Sequence, residues 1–279
     1  MIRVASLHIY PVKSCRGVDL AAAEVVATGF RRDRHWMVVD RDGVFLSQRN
    51  HPEMATIRPR LATDALVVEC DGHPTLEVPL ASSRPASRPA TVWNDTGLAV
   101  AEGRAAADWF SAVLGIECEL VRQADHEPRP IDPTFAPAGG RVSYADGFPF
   151  LLISRASVDA LNRRLDSPVA ADRFRANIVV DGCGPHAEDG WAEIEIGGIG
   201  LDVAKPCARC IVITTDQRDG SRSPEPLQTL ASYRTASGKV LFGQNLVHRS
   251  TGWIRVGDEV RIRGRSPLGN NAQKPEIGS

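Results

Sequence analysis

The chain has 279 residues, of which 43% are hydrophobic and 24% charged, and 33 Lys and Arg against 34 Asp and Glu leave a net charge of -1. That apolar fraction supplies a packed core without disulfides, and the length suits two lobes or one large β-rich domain. The balanced charge gives no basic footprint for a nucleic-acid polyanion, so small-molecule chemistry is the expectation.

The amino terminus, MIRVASLHIYPVKSCRG, has no apolar run of signal-peptide length, and no stretch approaches the ~20 apolar residues of a membrane-spanning helix. A cytoplasmic protein that crosses no membrane follows as an expectation, with its six cysteines as thiols. Residues 1–80 read mainly as β. Val4–Tyr10 is a β-rich run stopped by Pro11, and Val18–Val26 follows. His35–Asp40 and Val44–Leu46 flank Asp42-Gly43 as a predicted hairpin, and Leu66–Cys70 and Leu76–Leu80 repeat that pattern around Asp71-Gly72. Ser82–Pro89 is a Pro-punctuated loop. The stretch GRAAADWFSAVL at 103–114 predicts a helix ending at Gly115, with Ala107, Phe110 and Leu114 on one face. Asp125–Gly140, with four prolines and two glycines, is the linker or long-loop candidate.

Phe150–Ile153 leads to Ser154, the expected N-cap of a helix from Arg155 to about Leu165. Strands are then predicted at Asn177–Val180, Ala192–Ile196, Gly200–Ala204, Ile211–Thr215, Trp253–Val256 and Val260–Ile262. Short strands at regular spacing with few helices indicate β-barrel architecture. Trp36 and Trp191 are expected in the core, Cys183 as a core thiol, and Glu188-Asp189 in a solvated turn.

The chemistry-bearing feature is Lys205-Pro-Cys-Ala-Arg-Cys210, followed by Ile-Val-Ile-Thr-Thr-Asp216. A lone C-x-x-C has three ordinary explanations. A structural zinc site needs four ligands, and the remaining candidates are Cys183, His186 and His248. A thioredoxin-like pair belongs at a helix N-terminus, whereas this one lies between β-branched runs. Two buried core thiols are the third. The arginine between the cysteines adds a different possibility, because it sets a soft thiolate beside a guanidinium that grips phosphate bidentately. That combination suits a thiophilic metal carried on a phosphorylated organic ligand.

Six stretches make the chain recognisable: IYPVKSCRG at 9–17, GFRRDRHWMVVD at 29–40, ADGFPFLLIS at 145–154, FRANIVVDGC at 174–183, KPCARCIVITTD at 205–216 and LFGQNL at 241–246. Together, over about residues 1–263, they resemble the MOSC-domain molybdenum cofactor proteins, in the branch of the mitochondrial amidoxime-reducing component and bacterial N-hydroxyl reductases. The resemblance implies a mainly β protein with a few helices. Its parts are an N-terminal MOSC-associated β-domain at 1–124, a MOSC β-barrel at 140–265 and a flexible tail at 266–279, with the cofactor in the cleft between the lobes. It also implies that Cys210, and not Cys207, ligates molybdenum carried on molybdopterin, and is thereby the catalytic residue.

Lys13, Ser14 and Arg34 match residues that hold the pterin and its phosphate, Asp146, Gly147 and Phe148 a loop lining it, and Arg175 and Asn177 further polar contacts. Ala208 and Arg209 flank the ligand cysteine, and Asn245 falls at another cofactor contact. Alanine at 208 stands where relatives often carry a hydroxyl, which leaves only a backbone contact there. Taken singly, Lys13 and Arg34 also read as surface charges, and Arg175 as an ion-pair partner for Asp172 or Asp181. The implied activity is reduction of small N-hydroxylated substrates. The alternative is a carrier of molybdenum cofactor, or a sulfur-transfer module, without turnover. With no ferredoxin module, membrane anchor or dinucleotide fingerprint in the sequence, electrons are expected from a separate ferredoxin, flavoprotein or cytochrome-type donor.

Overall fold

Along Arg3–Ile9 the buried residues Leu7 and Ile9 alternate with less buried ones, the period of a strand with one face in a core. The computed structural model describes residues 1–81, 88–124, 129–136 and 139–266. In it this strand joins a long mixed sheet. The order runs Val18–Leu20, Arg3–Ile9, Ile178–Asp181, Phe150–Ser154, Lys239–His248, Ile199–Ala208, Trp191–Ile196 and Val260–Arg265, with Thr235–Ala236 added beside Lys239–His248. Backbone bonds from Val4 N–H to Asp258 O and from Val260 N–H to Ile2 O, both 2.9 Å, bring the two ends of the sheet together. Leu7, Ile9, Leu152, Ile178, Trp191, Ile194, Leu201 and Leu246 pack inside. Side chains one residue out of phase, such as Ile153 and Val179, pack outside with Val158, Leu161, Phe174 and Phe242.

The parallel pair in this sheet, Phe150–Ser154 with Ile178–Asp181, is connected through the helix Arg155–Asn162. Ser154 caps that helix, its side chain accepting from Ser157 N–H at 3.1 Å. Elsewhere Ala22–Val26 pairs with Gly252–Arg255, so the amino-terminal strands are built onto partners from beyond residue 177. Residues 36–123 form a second set of sheets. Trp36–Asp40, Cys118–Gln123, Asp95–Ala101 and Arg88–Val92 make one, and Arg58–Leu61, Ala65–Glu69 and Leu76–Pro79 another. The helix Arg104–Leu114 closes a core there with Trp36, Val38, Leu66, Val68 and Leu120. Among the described residues no helix is long and apolar enough to cross a membrane.

The fold is mainly β with three α-helices among the described residues, as expected, and Trp36 and Trp191 are both in its core. Several local expectations change. The helix at 104 ends on Gly115 in the left-handed region (φ 67°), as its sequence implied, but it buries Ala106 and Trp109 with Phe110 and Leu114 rather than Ala107. The Trp109 indole donates to Pro74 O at 2.6 Å and so fixes the helix's rotation. The next helix stops at Asn162 instead of about Leu165. Arg164 N–H and Leu165 N–H bond Leu161 O and Asn162 O three residues back, the Arg164 side chain takes Ala160 O at 2.6 Å, and the Asn162 side chain ties the exit to Val169 N–H and O. The Asp42-Gly43 turn forms, yet 44–46 splits its backbone bonds between Val38 and Asp40 on one side and Thr91 on the other and makes only isolated bridges.

Ile211–Thr214 is a 3-10 turn and not a strand, since Ile213 is drawn into the cluster with Phe174 and Phe242 and Thr214 Oγ1 donates back to Ile211 O at 2.7 Å. Glu188 is not solvated. It is 1% exposed and accepts from Ser154 N–H at 3.1 Å and Ser157 Oγ at 2.7 Å, with burial pushing its carboxyl pKa up. Cys183 is half-buried against the barrel core. The strands at 88–101 and the helix Leu227–Tyr233 carried no clear sequence signal. Residues 82–87 of the proposed loop, 125–128 and 137–138 of the proposed linker, and 267–279 of the proposed tail lie outside the described residues.

Ser154 joins a strand end to a helix start and to Glu188 through buried bonds, so its loss orphans the Ser157 N–H. Ser154→Ala is expected to destabilise the protein by about 1–2 kcal/mol. Chemical denaturation of the two proteins checks this; an unchanged midpoint would count against the capping role.

Candidate functional site

Strand termini of the barrel sheet and of the separate Trp36–Asp40 sheet gather five loops. Lys13 and Ser14 follow Arg3–Ile9, Asp146–Phe148 precede Phe150–Ser154, and Arg175–Asn177 precede Ile178–Asp181. Cys207–Cys210 end Ile199–Ala208, and Arg34 precedes Trp36–Asp40. They enclose a cavity of about 200 Å³. Every residue proposed from the sequence lines it: Lys13, Ser14, Arg34, Asp146, Gly147, Phe148, Arg175, Asn177, Ala208, Arg209, Cys210 and Asn245. Arg49, Cys207, Phe150, Leu151, Phe174 and Ile213 also contribute.

The cations are held by neutral groups as much as by carboxylates. Lys13 is 5% exposed; its ammonium donates to Tyr144 O at 2.8 Å and pairs with Asp146. Burial lowers the Lys13 pKa even against the pull of Asp146. Desolvation opposes ionisation of Asp146, but Lys13, Arg49 and the Trp93 indole outweigh it and hold the carboxyl below the usual carboxylate range. Arg34 pairs with Asp33 and donates to Asn177 Oδ1 at 3.0 Å and Arg175 O at 3.1 Å. Arg175 makes no ion pair with Asp172 or Asp181; it donates to Cys15 O at 2.7 Å and Gln217 Oε1 at 3.3 Å, and burial lowers its pKa to about 10. The two guanidinium groups lie 4.2 and 4.3 Å from the centre of the Tyr10 ring.

Backbone strain concentrates here as well. Seven non-glycine residues among those described have positive φ, and Ser14 (67°), Arg34 (46°) and Arg175 (55°) line the cavity. Such conformations cost on the order of 1–3 kcal/mol each and persist where surrounding contacts over-determine them. Ser14 O accepts from the buried Gln48 at 2.7 Å, and Gln48 in turn bonds Gln217. Asn177 is spent on shape: its side chain accepts from Arg34 and Leu151 N–H and donates to His8 O at 3.2 Å. Asn245 makes long contacts to Lys205 O and Pro206 O at 3.4 and 3.5 Å.

Each cysteine of the pair has its own guanidinium. Arg209 Nη1 lies 3.1 Å from Cys207 Sγ, and Arg49 Nη2 lies 3.4 Å from Cys210 Sγ. Arg209 also donates to Phe174 O at 2.7 Å, and its Nε is buried with no hydrogen-bond partner. Cys210 stands at the start of the 3-10 turn, with Ile213 and Phe174 forming an apolar wall beside it. Among the described residues no group of three or more His, Cys, Asp or Glu comes together to hold a metal ion.

Sequence reasoning missed Arg49, Gln48, Gln217 and the Tyr10 sandwich. Tyr10 lay within a quoted motif, but nothing in Ser47-Gln-Arg-Asn50 separates Arg49 from any surface arginine.

Residues 1–117 match the family model of the MOSC N-terminal beta barrel domain and residues 139–261 that of the MOSC domain. The chain is 37% identical to mitochondrial amidoxime-reducing component 1 of Mus musculus over 94% of its length and 82% of that protein. The corresponding Homo sapiens protein is also 37% identical, over 94% of this chain and 83% of that one. Molybdenum cofactor sulfurase of Danio rerio is 35% identical over 88% of this chain but only 32% of the sulfurase. With both domains matched and 94% of the chain aligned with amidoxime-reducing components, the chain belongs to the MOSC-domain family.

Proposed function

We propose that the protein is a molybdenum-cofactor-dependent reductase that converts N–OH groups of small N-hydroxylated compounds to N–H, using electrons from a separate donor protein. The observation that carries this reading is the meeting of the Cys210 thiol with Lys13, Arg34, Arg49, Arg175 and Arg209 around one cavity. The similarity to amidoxime-reducing components supports the substrate class.

The residues present fit such a cofactor. Five cations against the Asp146 and Asp33 carboxylates leave an excess of positive charge, and the orphaned Arg209 Nε is a buried donor awaiting an acceptor. Lys13, Arg34, Arg175 and Arg209 would hold the phosphate and pterin, and Cys210 would hold the metal. A thiolate is the ligand type that thiophilic metals select. When bound, the cofactor supplies the two electrons that, with two protons, convert N–OH to N–H and water. The chain's own contribution is binding and orientation. Phe148, Phe150, Leu151, Phe174 and Ile213 line the cavity with apolar surface that limits water. Lys13 and Asp146, fixed to each other, keep a charged pair at its edge.

A second reading is a cofactor carrier or sulfur-transfer module without turnover, favoured by the match to molybdenum cofactor sulfurase over 88% of this chain. Molybdenum analysis combined with reduction of benzamidoxime by an artificial electron donor separates the two. Turnover supports the reductase, and stoichiometric molybdenum without turnover supports the carrier. Cys210→Ala is expected to abolish reduction and remove the protein's sulfur from the metal's coordination in edge absorption spectra; undiminished turnover refutes the ligand assignment. Cys207→Ser is expected to keep the metal, and a metal-free Cys207→Ser protein would reverse the roles of the two cysteines. Lys13→Met and Arg209→Met should each weaken cofactor retention about tenfold or more, the size of one lost charged hydrogen bond. Molybdenum content after gel filtration is the measurement.

A further inference from the structure

Arg49 reaches Cys210 from the other half of the molecule. We propose that Arg49 is a positioning residue that holds the Cys210 sulfur and tunes it as a metal ligand, with Trp93 bracing the guanidinium in place. This rests on the reading of Cys210 as the metal's protein ligand.

Three sets of contacts fix the arginine before anything binds. Its backbone is tied down by Arg222, which donates to Arg49 O at 2.9 Å and also to Gln48 O. The adjacent Gln48 is fully buried between Ser14 O, at 2.7 Å, and Gln217 Oε1, at 3.0 Å. Its guanidinium stacks on the Trp93 ring, 4.4 Å from the centroid. Trp93 is itself held, in the left-handed region (φ 57°) between the strands Arg88–Val92 and Asp95–Ala101. Its indole Nε1 lies 3.3 Å from Asp146 Oδ1, and Phe45 packs 4.9 Å from its ring. A free arginine side chain carries about 2 kcal/mol of rotamer entropy, and a stacked, planar fork loses less of it per bond formed. The Nη2 group is thus aimed at Cys210 Sγ, 3.4 Å away, by packing on Trp93, with the Asp146 carboxylate near enough to feel the arginine's charge.

The contact has a chemical consequence at a ligating sulfur. An N–H donor and a positive charge directed at a thiolate withdraw electron density from it. The thiolate then donates less to the metal, and the reduced metal is favoured, which raises the reduction potential. Cys207 experiences Arg209 instead, from within its own loop. The sulfur of Cys210 is the one whose partner depends on the two halves being in register.

The test uses the full-length, molybdenum-loaded protein and reads the midpoint potential of the metal, not turnover alone. Arg49→Met is expected to lower the potential by the equivalent of about tenfold in the two-electron equilibrium constant, roughly 30 mV. Arg49→Lys, which keeps the charge but not the planar fork, should recover part of that shift. Trp93→Ala, which touches no sulfur, should move it in the same direction as Arg49→Met. A potential unchanged in Arg49→Met overturns the proposal. If Arg49→Met fails to load metal, unchanged potentials in both Arg49→Lys and Trp93→Ala overturn it equally. Wild-type protein that binds no molybdenum, or keeps its sulfur coordination in Cys210→Ala, rejects the reading on which this inference rests; normal metal binding with no Arg49 effect rejects this inference alone.

Discussion

Two guanidinium groups share one aromatic ring at the centre of this protein, and the site depends on that arrangement. Tyr10 presents its faces to Arg34 and Arg175, accepts no competing role, and anchors both ends of itself: its N–H donates to Asp33 Oδ1 at 2.8 Å and its hydroxyl to Ala176 O at 3.1 Å. Burial raises the phenol's pKa, so the ring stays neutral and its hydroxyl remains a donor. Like charges would separate in water. Here the ring quadrupole, worth about 0.5–2 kcal/mol per contact, and the surrounding carbonyls hold them together. The same ring joins the Arg3–Ile9 strand to the turn before Trp36 and to the segment before Ile178–Asp181. Three distant pieces of chain are thereby fixed to one point.

The consequence is a cavity organised at the expense of local stability. Buried cations, left-handed backbone at Ser14, Arg34 and Arg175, and the unpartnered Arg209 Nε are each unfavourable in isolation. They are tolerated because the barrel interior and the cluster around Phe174 and Phe242 are apolar and densely packed. An anionic ligand would relieve much of this electrostatic burden, which ties ligand binding to stability. The polar scaffold behind the cations combines the Asp33 and Asp146 carboxylates with neutral amides. Gln48, Gln217 and Asn177 supply acceptors without cancelling the positive charge that the cavity concentrates.

The two cysteines of Lys205-Pro-Cys-Ala-Arg-Cys210 differ by their surroundings more than by their spacing. Cys207 is still on the strand and faces the arginine of its own loop, whereas Cys210 begins the 3-10 turn and meets an arginine from residues 47–51. The turn itself follows from Ile213, whose burial beside Phe174 overrides the β-propensity of Ile-Val-Ile-Thr-Thr. Moving that isoleucine inward turns the chain just after the sulfur, which leaves Cys210 at the cavity wall and not within a ladder.

The sequence alone determined the features set by short-range physics and by family motifs. Alternating β-branched runs located most barrel strands, Ser154 and Gly115 marked helix ends, and the six motifs pointed to residues that all line one cavity. What only the tertiary structure decided were the properties that depend on neighbours far away in the chain. The burial of Glu188 came from a helix start 31–34 residues earlier, the turn at Ile211–Thr214 from an apolar cluster, and the pairing of the amino-terminal strands from partners beyond residue 177. Arg49 is the plainest case. Its local sequence is that of a surface turn, and its approach to Cys210 spans 161 positions and depends on Trp93 and Arg222. Propensity and capping act over a few residues, but where an arginine points is settled by packing, and packing exists only once the chain has folded.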